Sequence, residues 1–116
     1  MRAGIIIIAA AAVLSGCSTT VPVAVIGANG QILRGTATAA MDGGTFTATD
    51  GKLTCAGSYD SWDTSITISM PVHCSDGRKG LVMATRDASG MSGSGRIRLS
   101  DGSEADFVFG KAAAAF

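Results

Sequence analysis

Residues 73–80, which read HCSDGRKG, place the only histidine, one of three cysteines and a basic pair around an Asp-Gly step. Histidine and cysteine are common metal ligands, and either can belong to a nucleophilic site. His73 and Cys74 are adjacent, however, so on a strand their side chains point to opposite faces. No CxxC or HxxxH spacing supplies further ligands. The pattern favours a turn at Asp76-Gly77 over a metal site.

Two other groups of residues have the composition of catalytic motifs. Residues 90–96 (GMSGSGR) are glycine-rich, but a phosphate loop is followed by a helix and usually carries a Lys-Ser/Thr pair, whereas a strand is expected here. A Ser-His-Asp triad would have to use His73, and no serine lies in a nucleophile elbow. Asp60, Asp63 and Asp76 are candidates for paired carboxylates, but the pattern favours loops and turns, because Asp bonds its own backbone there. We therefore predict no enzymatic activity, no cofactor and no metal.

The first residues have the pattern of a secretory signal peptide. Residues 1–17 read MRAGIIIIAAAAVLSGC, with Arg2 before an apolar run and small residues before Cys17. The run is about ten residues long, roughly half of what a membrane-spanning helix requires. The pattern favours a cleaved signal over a transmembrane anchor.

The end of this signal, Leu14-Ser15-Gly16-Cys17, resembles the lipobox of bacterial lipoproteins. The resemblance implies cleavage before Cys17 and attachment of a diacylglycerol to its sulfur, with further acylation giving a stable membrane anchor. By the sorting rule of that family, Ser18 rather than Asp implies the outer membrane, most simply its periplasmic face. The expected organisation is a signal peptide (1–16), a lipidated tether (17–22), a periplasmic β domain (23–110) and a C-terminal tail (111–116).

If Cys17 carries lipid, Cys55 and Cys74 remain as an even pair in an oxidising compartment, where a disulfide is the default. The bond would close a loop of about 20 residues, which is worth roughly 3 kcal/mol in the chain-entropy account. The alternative is a metal site made of Cys55, Cys74 and His73.

The charge of the mature chain is nearly balanced. Loss of Arg2 leaves eight Lys and Arg residues against nine Asp and Glu residues. This balance provides no footprint for nucleic acid and no polybasic membrane patch.

The body of the chain has the pattern of short strands and glycine turns, with no 3.6-residue period. Asn29-Gly30 and the Asp-Gly steps at 50, 76 and 101 predict hairpins, because type I′ turns need positive φ. Eight strands are predicted, at 21–26, 31–38, 45–49, 52–57, 64–72, 80–86, 95–100 and 104–109. Pro71 indicates an edge or a bulge. The fold class is all-β, a small antiparallel meander forming a barrel or a sandwich.

Alternation of apolar and polar residues predicts which side chains form the core. In TSITISMPVHC, one face carries every second residue from Ile66 to Cys74. The predicted core comprises Phe46, Leu53, Cys55, Ile66, Ile68, Met70, Leu81, Met83, Ile97, Leu99, Phe107 and Phe109.

Tyr59 and Trp62 lie in a polar segment, YDSWD, between two predicted strands. Exposed aromatic side chains are common anchors for partners or sugars, so both are binding candidates. The alternative is that Trp62 caps one end of the barrel.

Residues 92–112 (SGSGRIRLSDGSEADFVFGKA) are similar to the C-terminal part of the membrane-bound inhibitors of C-type lysozyme, lipoproteins with a small barrel and a disulfide. Ser92 and Ser94 match the serine of a Ser-Gly-rich loop in that family, and Lys111 matches its lysine. Arg96-Ile97 stands where the family has a tyrosine. The resemblance implies lysozyme inhibition through the 92–95 loop.

These patterns together predict a lipid-anchored envelope protein with a non-catalytic structural or binding role. Its expected contacts are the membrane, through Cys17, and an envelope protein or a glycan; the alternative is a lysozyme.

Overall fold

The computed structural model describes residues 18–116, so the predicted signal peptide and Cys17 lie outside the described residues. Eight antiparallel strands follow one another in chain order, and β1 pairs with β8 to close a barrel. The strands are β1 (Thr19–Gly27), β2 (Ile32–Ala40), β3 (Gly43–Thr49), β4 (Thr54–Tyr59), β5 (Thr67–Cys74), β6 (Lys79–Arg86), β7 (Gly93–Leu99) and β8 (Glu104–Phe109). The all-β prediction is confirmed, and of its two alternatives the structure is the barrel.

The four predicted Gly turns all lie at one end of the barrel, which we call the turn end. Their glycines Gly30, Gly51, Gly77 and Gly102 have φ between 86° and 94°, a conformation that other residues rarely adopt. Asp50 shows how the preceding residue contributes. Its carboxylate accepts hydrogen bonds from the backbone N–H of Leu53, the Gln31 amide and the backbone N–H of Lys52, which lower its pKa to about 2.

The opposite end, which we call the N-terminal end, receives the chain at Thr19. It carries the connections at residues 41–42, 60–66 and 87–92. Because β1 begins at Thr19, residues 19–22 belong to the barrel, where Thr19 and Thr20 pair with Ala39 and Thr38. The tether expected over 17–22 is therefore mostly strand.

The interior is filled by every second residue of each strand. Phe46 and Phe107 lie with ring centroids 5.1 Å apart, and Phe109 stacks beside Phe107 at 6.1 Å. Of the predicted core, Phe46, Cys55, Ile68, Met70, Ile97, Phe107 and Phe109 are buried, while Leu53 and Leu99 are partly buried against it.

Three core predictions are wrong. Ile66 has the same parity as the buried Ile68, but it lies in the connection before β5 rather than in the strand. It is therefore 70% exposed. Leu81 and Met83 point outward and are about half exposed. The register of β6 places Val82 opposite Met70 and Ala84 opposite Ile68, so it is these two smaller residues that face the interior.

Pro71 lies where β5 stops pairing with β4. The β4–β5 ladder has only three residue pairs, whereas the β5–β6 ladder runs through Pro71 with seven. Proline has no N–H to donate to a ladder, so the two strands separate beyond Gly57 and Val72.

Cys55 and Cys74 are directly opposed in this short β4–β5 ladder and are joined by a disulfide, as predicted. Both side chains point into the core, and His73 points outward and is exposed. The covalent bond therefore lies in the shortest ladder of the barrel.

The last residues form a 3₁₀ helix, Gly110–Ala115, rather than an extended tail. It packs on β1, whose outward-facing Ala24 has no exposed surface, and its own Ala113 is buried. The carbonyl of Phe116 accepts a hydrogen bond from Arg34 Nε at 2.6 Å. Within residues 18–116, no helix is long and apolar enough to span a membrane.

The double variant Cys55→Ala/Cys74→Ala is expected to lose about 3 kcal/mol of unfolding free energy, because the disulfide constrains the unfolded chain over a separation of 19 residues. The measurement is urea denaturation of the oxidised protein, the reduced protein and the variant. A matched control is Thr67→Ala/Thr85→Ala, which alters another opposed pair of β5 without a covalent bond. An equal loss in both double variants would contradict the prediction.

Candidate binding site at the N-terminal end

The N-terminal end of the barrel opens into a cavity of about 220 Å³. Its inner wall is apolar, and its rim carries the polar groups of Tyr59, Ser61 and Arg86. The apolar wall includes Val21, Phe46, Ile68, Met70, Phe107 and Phe109.

Tyr59 reaches this cavity from the last position of β4, directly opposite Gly44 of β3. Its ring lies over Gly44 so closely that a methyl group there would overlap the ring. Burial raises the pKa of the Tyr59 hydroxyl, an effect that the nearby charge of Arg86 opposes. At neutral pH the cavity mouth therefore holds a protonated hydroxyl, which can donate or accept a hydrogen bond.

Arg86, at the end of β6, is used to hold the 60–66 connection in place. Its Nε donates to the Ser65 carbonyl at 2.9 Å, and its Nη2 donates to the carbonyls of Asp63, at 2.9 Å, and Ser65. These bonds fix the loop that carries Trp62 and use much of the donor capacity of the guanidinium.

Trp62 does not cap the barrel. Its indole is 69% exposed, yet the side chain is held in place, because Nε1–H donates to the Met41 carbonyl at 2.9 Å. Ser61 Oγ donates to the Ala40 carbonyl at 2.6 Å, and the backbone N–H of Trp62 donates to Asp60 Oδ1 at 2.9 Å. The tryptophan is therefore an exposed aromatic platform on a loop fastened to β2.

The structure brings together two of the three residues that the lysozyme-inhibitor resemblance singled out. The backbone N–H of Lys111 donates to Ser92 Oγ at 2.7 Å, at the start of the 3₁₀ helix. Ser94 lies apart on the outer wall, exposed within β7. The loop expected at 92–95 is instead at 87–92, where Asp87 accepts hydrogen bonds from Ser89, and residues 93–95 belong to the strand.

Residues 73–80 lie at the other end of the barrel and form a turn. Arg78 crosses this turn to pair with Asp76, with 2.8 Å between Nε and Oδ2, and reaches Asp101 of the neighbouring turn. It lines a second cavity of about 330 Å³ at the turn end. Across residues 18–116, no group of three or more His, Cys, Asp or Glu side chains could hold a metal ion.

Three exposed residues at the N-terminal end were not predicted to belong with Trp62. Met41, Ile66 and Met91 lie in the three connections around the cavity mouth and are each about half exposed or more. The available signal was an apolar residue within a turn of Asp, Ser and Gly, as in AMDGG and SGMSG.

The fold and its two open ends define a small, closed, eight-stranded antiparallel β-barrel. No family model and no curated protein matches the sequence. Among solved structures, the chain is similar to a de novo designed fluorescence-activating β-barrel, with a TM-score of 0.57 and 21% identity over 78% of this chain and 88% of that one. This similarity shows the barrel fold.

Gly44→Ala is expected to destabilise the barrel by about 1–3 kcal/mol, because the added methyl group overlaps the Tyr59 ring and displaces it. In a Tyr59→Ala background the same change should cost much less, since the ring is gone. Urea denaturation of the four proteins of this double-mutant cycle measures the coupling. Additive effects of the two changes would contradict the packing described here.

Proposed function

We propose that the chain is an outer-membrane lipoprotein, anchored through lipid on Cys17, with a non-catalytic binding role at the periplasmic face of the membrane. The observation that carries the proposal is the short distance in sequence between the lipobox-like motif and the first strand of the barrel. The lipobox-like LSGC ends at Cys17, and an ordered barrel begins two residues later at Thr19. Such a chain has the layout of an anchor followed directly by a folded domain.

The outer wall of the barrel supports a position beside a membrane rather than within it. Membrane-spanning barrels carry an apolar band on the outside. Here the outward residues of β7 include Arg96 and Arg98, and Arg96 pairs with Glu104 and Asp106 at 2.9 Å each. The Cys55–Cys74 disulfide supports an oxidising compartment such as the periplasm.

The cavity at the N-terminal end supports binding as the role. Its volume of about 220 Å³ is below the roughly 300–1,000 Å³ of pockets for drug-sized ligands. Apolar walls with a polar rim of Tyr59, Ser61 and Arg86 suit a small apolar group, such as the end of a chain or a side chain of a partner protein. A glycan remains the other partner class, with Trp62 as its stacking surface.

Cys17→Ala is expected to abolish incorporation of a palmitate analogue during growth and to release the protein from the outer-membrane fraction. Covalent acyl chains are the anchor in the proposal, and no other thiol can replace Cys17 once Cys55 and Cys74 are joined. The control is Cys55→Ala/Cys74→Ala, which should retain the label. Unchanged labelling of Cys17→Ala would overturn the anchor.

A second candidate function is inhibition of C-type lysozyme, which the contact between Lys111 and Ser92 favours. In a titration of lysozyme with the purified mature protein, Ser92→Ala should weaken inhibition by roughly tenfold, about 1.4 kcal/mol, through loss of that contact. Ser69→Ala, an exposed serine on the wall of β5, is the matched control. Undiminished lysozyme activity at micromolar protein would eliminate this candidate.

A further inference from the structure

We propose that the N-terminal end of the barrel rests on the lipid surface that carries Cys17, with Met41, Trp62, Ile66 and Met91 inserted into the membrane interface. The inference rests on the lipid anchor proposed above and adds an orientation and a contact surface. We call these four side chains the apolar tips.

The apolar tips are concentrated at one end of the molecule. Met41, Trp62, Ile66 and Met91 are 67%, 69%, 70% and 47% exposed, and each lies in a connection at the N-terminal end. The other large exposed apolar side chains of residues 18–116 are elsewhere: Leu81 and Met83 on the wall, and Phe116 at the C-terminus. The turn end has none of them.

The length of chain before the barrel determines what this end must face. Only Ser18 separates Cys17 from the first residue of β1. Two residues span at most about 7 Å, even when fully extended. A lipidated Cys17 lies at the headgroup level of its membrane, so the rim of the N-terminal end is held against the same surface. A second copy or a soluble partner would have to displace that surface to cover the apolar tips.

The hydrogen bonds of Trp62 and of its loop suit a membrane interface. Tryptophan is enriched where a membrane meets water, because its ring is apolar and its N–H is polar. The indole N–H of Trp62 is already bonded to the Met41 carbonyl, so the ring can leave water without exposing an unpaired donor to lipid. The bonds from Arg86 to the same loop mean that little additional ordering is required on contact.

The charges around the apolar tips indicate which lipid surface fits. Asp42, Asp60, Asp63 and Asp87 lie in the same connections, while Arg86 is engaged with the 60–66 loop. Hydrogen bonds from Ser65 and Ser89 lower the pKa of Asp63 and Asp87, so both are ionised at neutral pH. An acidic rim is repelled by anionic headgroups, which points to a zwitterionic surface.

The test uses Trp62 as its own probe, because it is the only tryptophan in the chain. The mature lipidated protein is placed in phosphatidylcholine vesicles with and without brominated acyl chains. The expected result is a blue-shifted emission that bromine quenches by about twofold or more, as for a side chain at the headgroup–acyl boundary. Adding phosphatidylglycerol should reduce the quenching.

Three matched variants make the test specific. Trp62→Phe/Lys52→Trp moves the probe to an exposed position at the turn end and should abolish quenching. Met41→Ser/Ile66→Ser/Met91→Ser, which keeps Trp62, should reduce quenching while the protein still floats with the vesicles. Leu81→Ser/Met83→Ser removes exposed apolar surface from the wall and should change nothing.

The failure of the inference and the failure of the anchor have different readouts. Intact mass and vesicle flotation report the lipid on Cys17. If they show the lipid while Trp62 emission stays water-like and unquenched, the proposed orientation is overturned and the anchor stands. If the lipid mass is absent, the anchor and the orientation both fall. A blue shift that depends on protein concentration without lipid would identify a second copy as the occupant and also overturn the proposal.

Discussion

The pairing of β1 with β8 is the constraint on which the rest of the molecule depends. It joins the first and last strands, Val23 opposite Phe109 and Val25 opposite Phe107, and removes the free edges of the sheet. With closure, the inward positions of all eight strands share one interior. Phe46, Phe107 and Phe109 occupy it together with smaller apolar residues. Without closure, Phe107 and Phe109 would lose the neighbours that β1 provides.

Closure also determines where the barrel needs reinforcement. The shortest ladder is the place where a closed barrel opens most easily. Here it is the β4–β5 ladder, which Pro71 limits to three residue pairs. The disulfide between Cys55 and Cys74 crosses that ladder, and the C-terminal 3₁₀ helix covers the outer face of β1 beside the closure. The disulfide thus supports the β4–β5 pair, and the packed terminal helix supports the β1–β8 pair.

The two ends of the barrel differ in the connections that they carry. The turn end consists of tight hairpins, whose aspartates bond the backbone and whose glycines supply positive φ. The N-terminal end has one short connection at 41–42 and two longer ones at 60–66 and 87–92, with an open apolar cavity and exposed apolar side chains around its mouth. The end that carries the apolar cavity is therefore also the end at which β1 begins, at Thr19.

The sequence by itself determined the features that depend on neighbouring residues. Asn-Gly and Asp-Gly steps specify hairpins because they need only a local backbone conformation, and TISMPVHC specifies one face because its alternation is unambiguous. The Cys55–Cys74 pairing was predicted from the two thiols that are left if Cys17 carries lipid, and the structure confirms the bond. A lipobox-like motif lies outside the described residues, so the anchor stays a prediction from sequence.

Only the tertiary structure decided features that depend on how the strands pair. In KGLVMATR both alternating sets are apolar, so the choice of Val82 and Ala84 over Leu81 and Met83 is made by Met70 and Ile68 across the ladder. The overlay of Tyr59 on Gly44 requires β3 and β4 to pair in this register, and the gathering of the apolar tips requires three separate connections to meet at one end. The physical reason is the same in each case: the local pattern specifies a strand and its turn, whereas burial is decided by the residues that strand pairing places alongside.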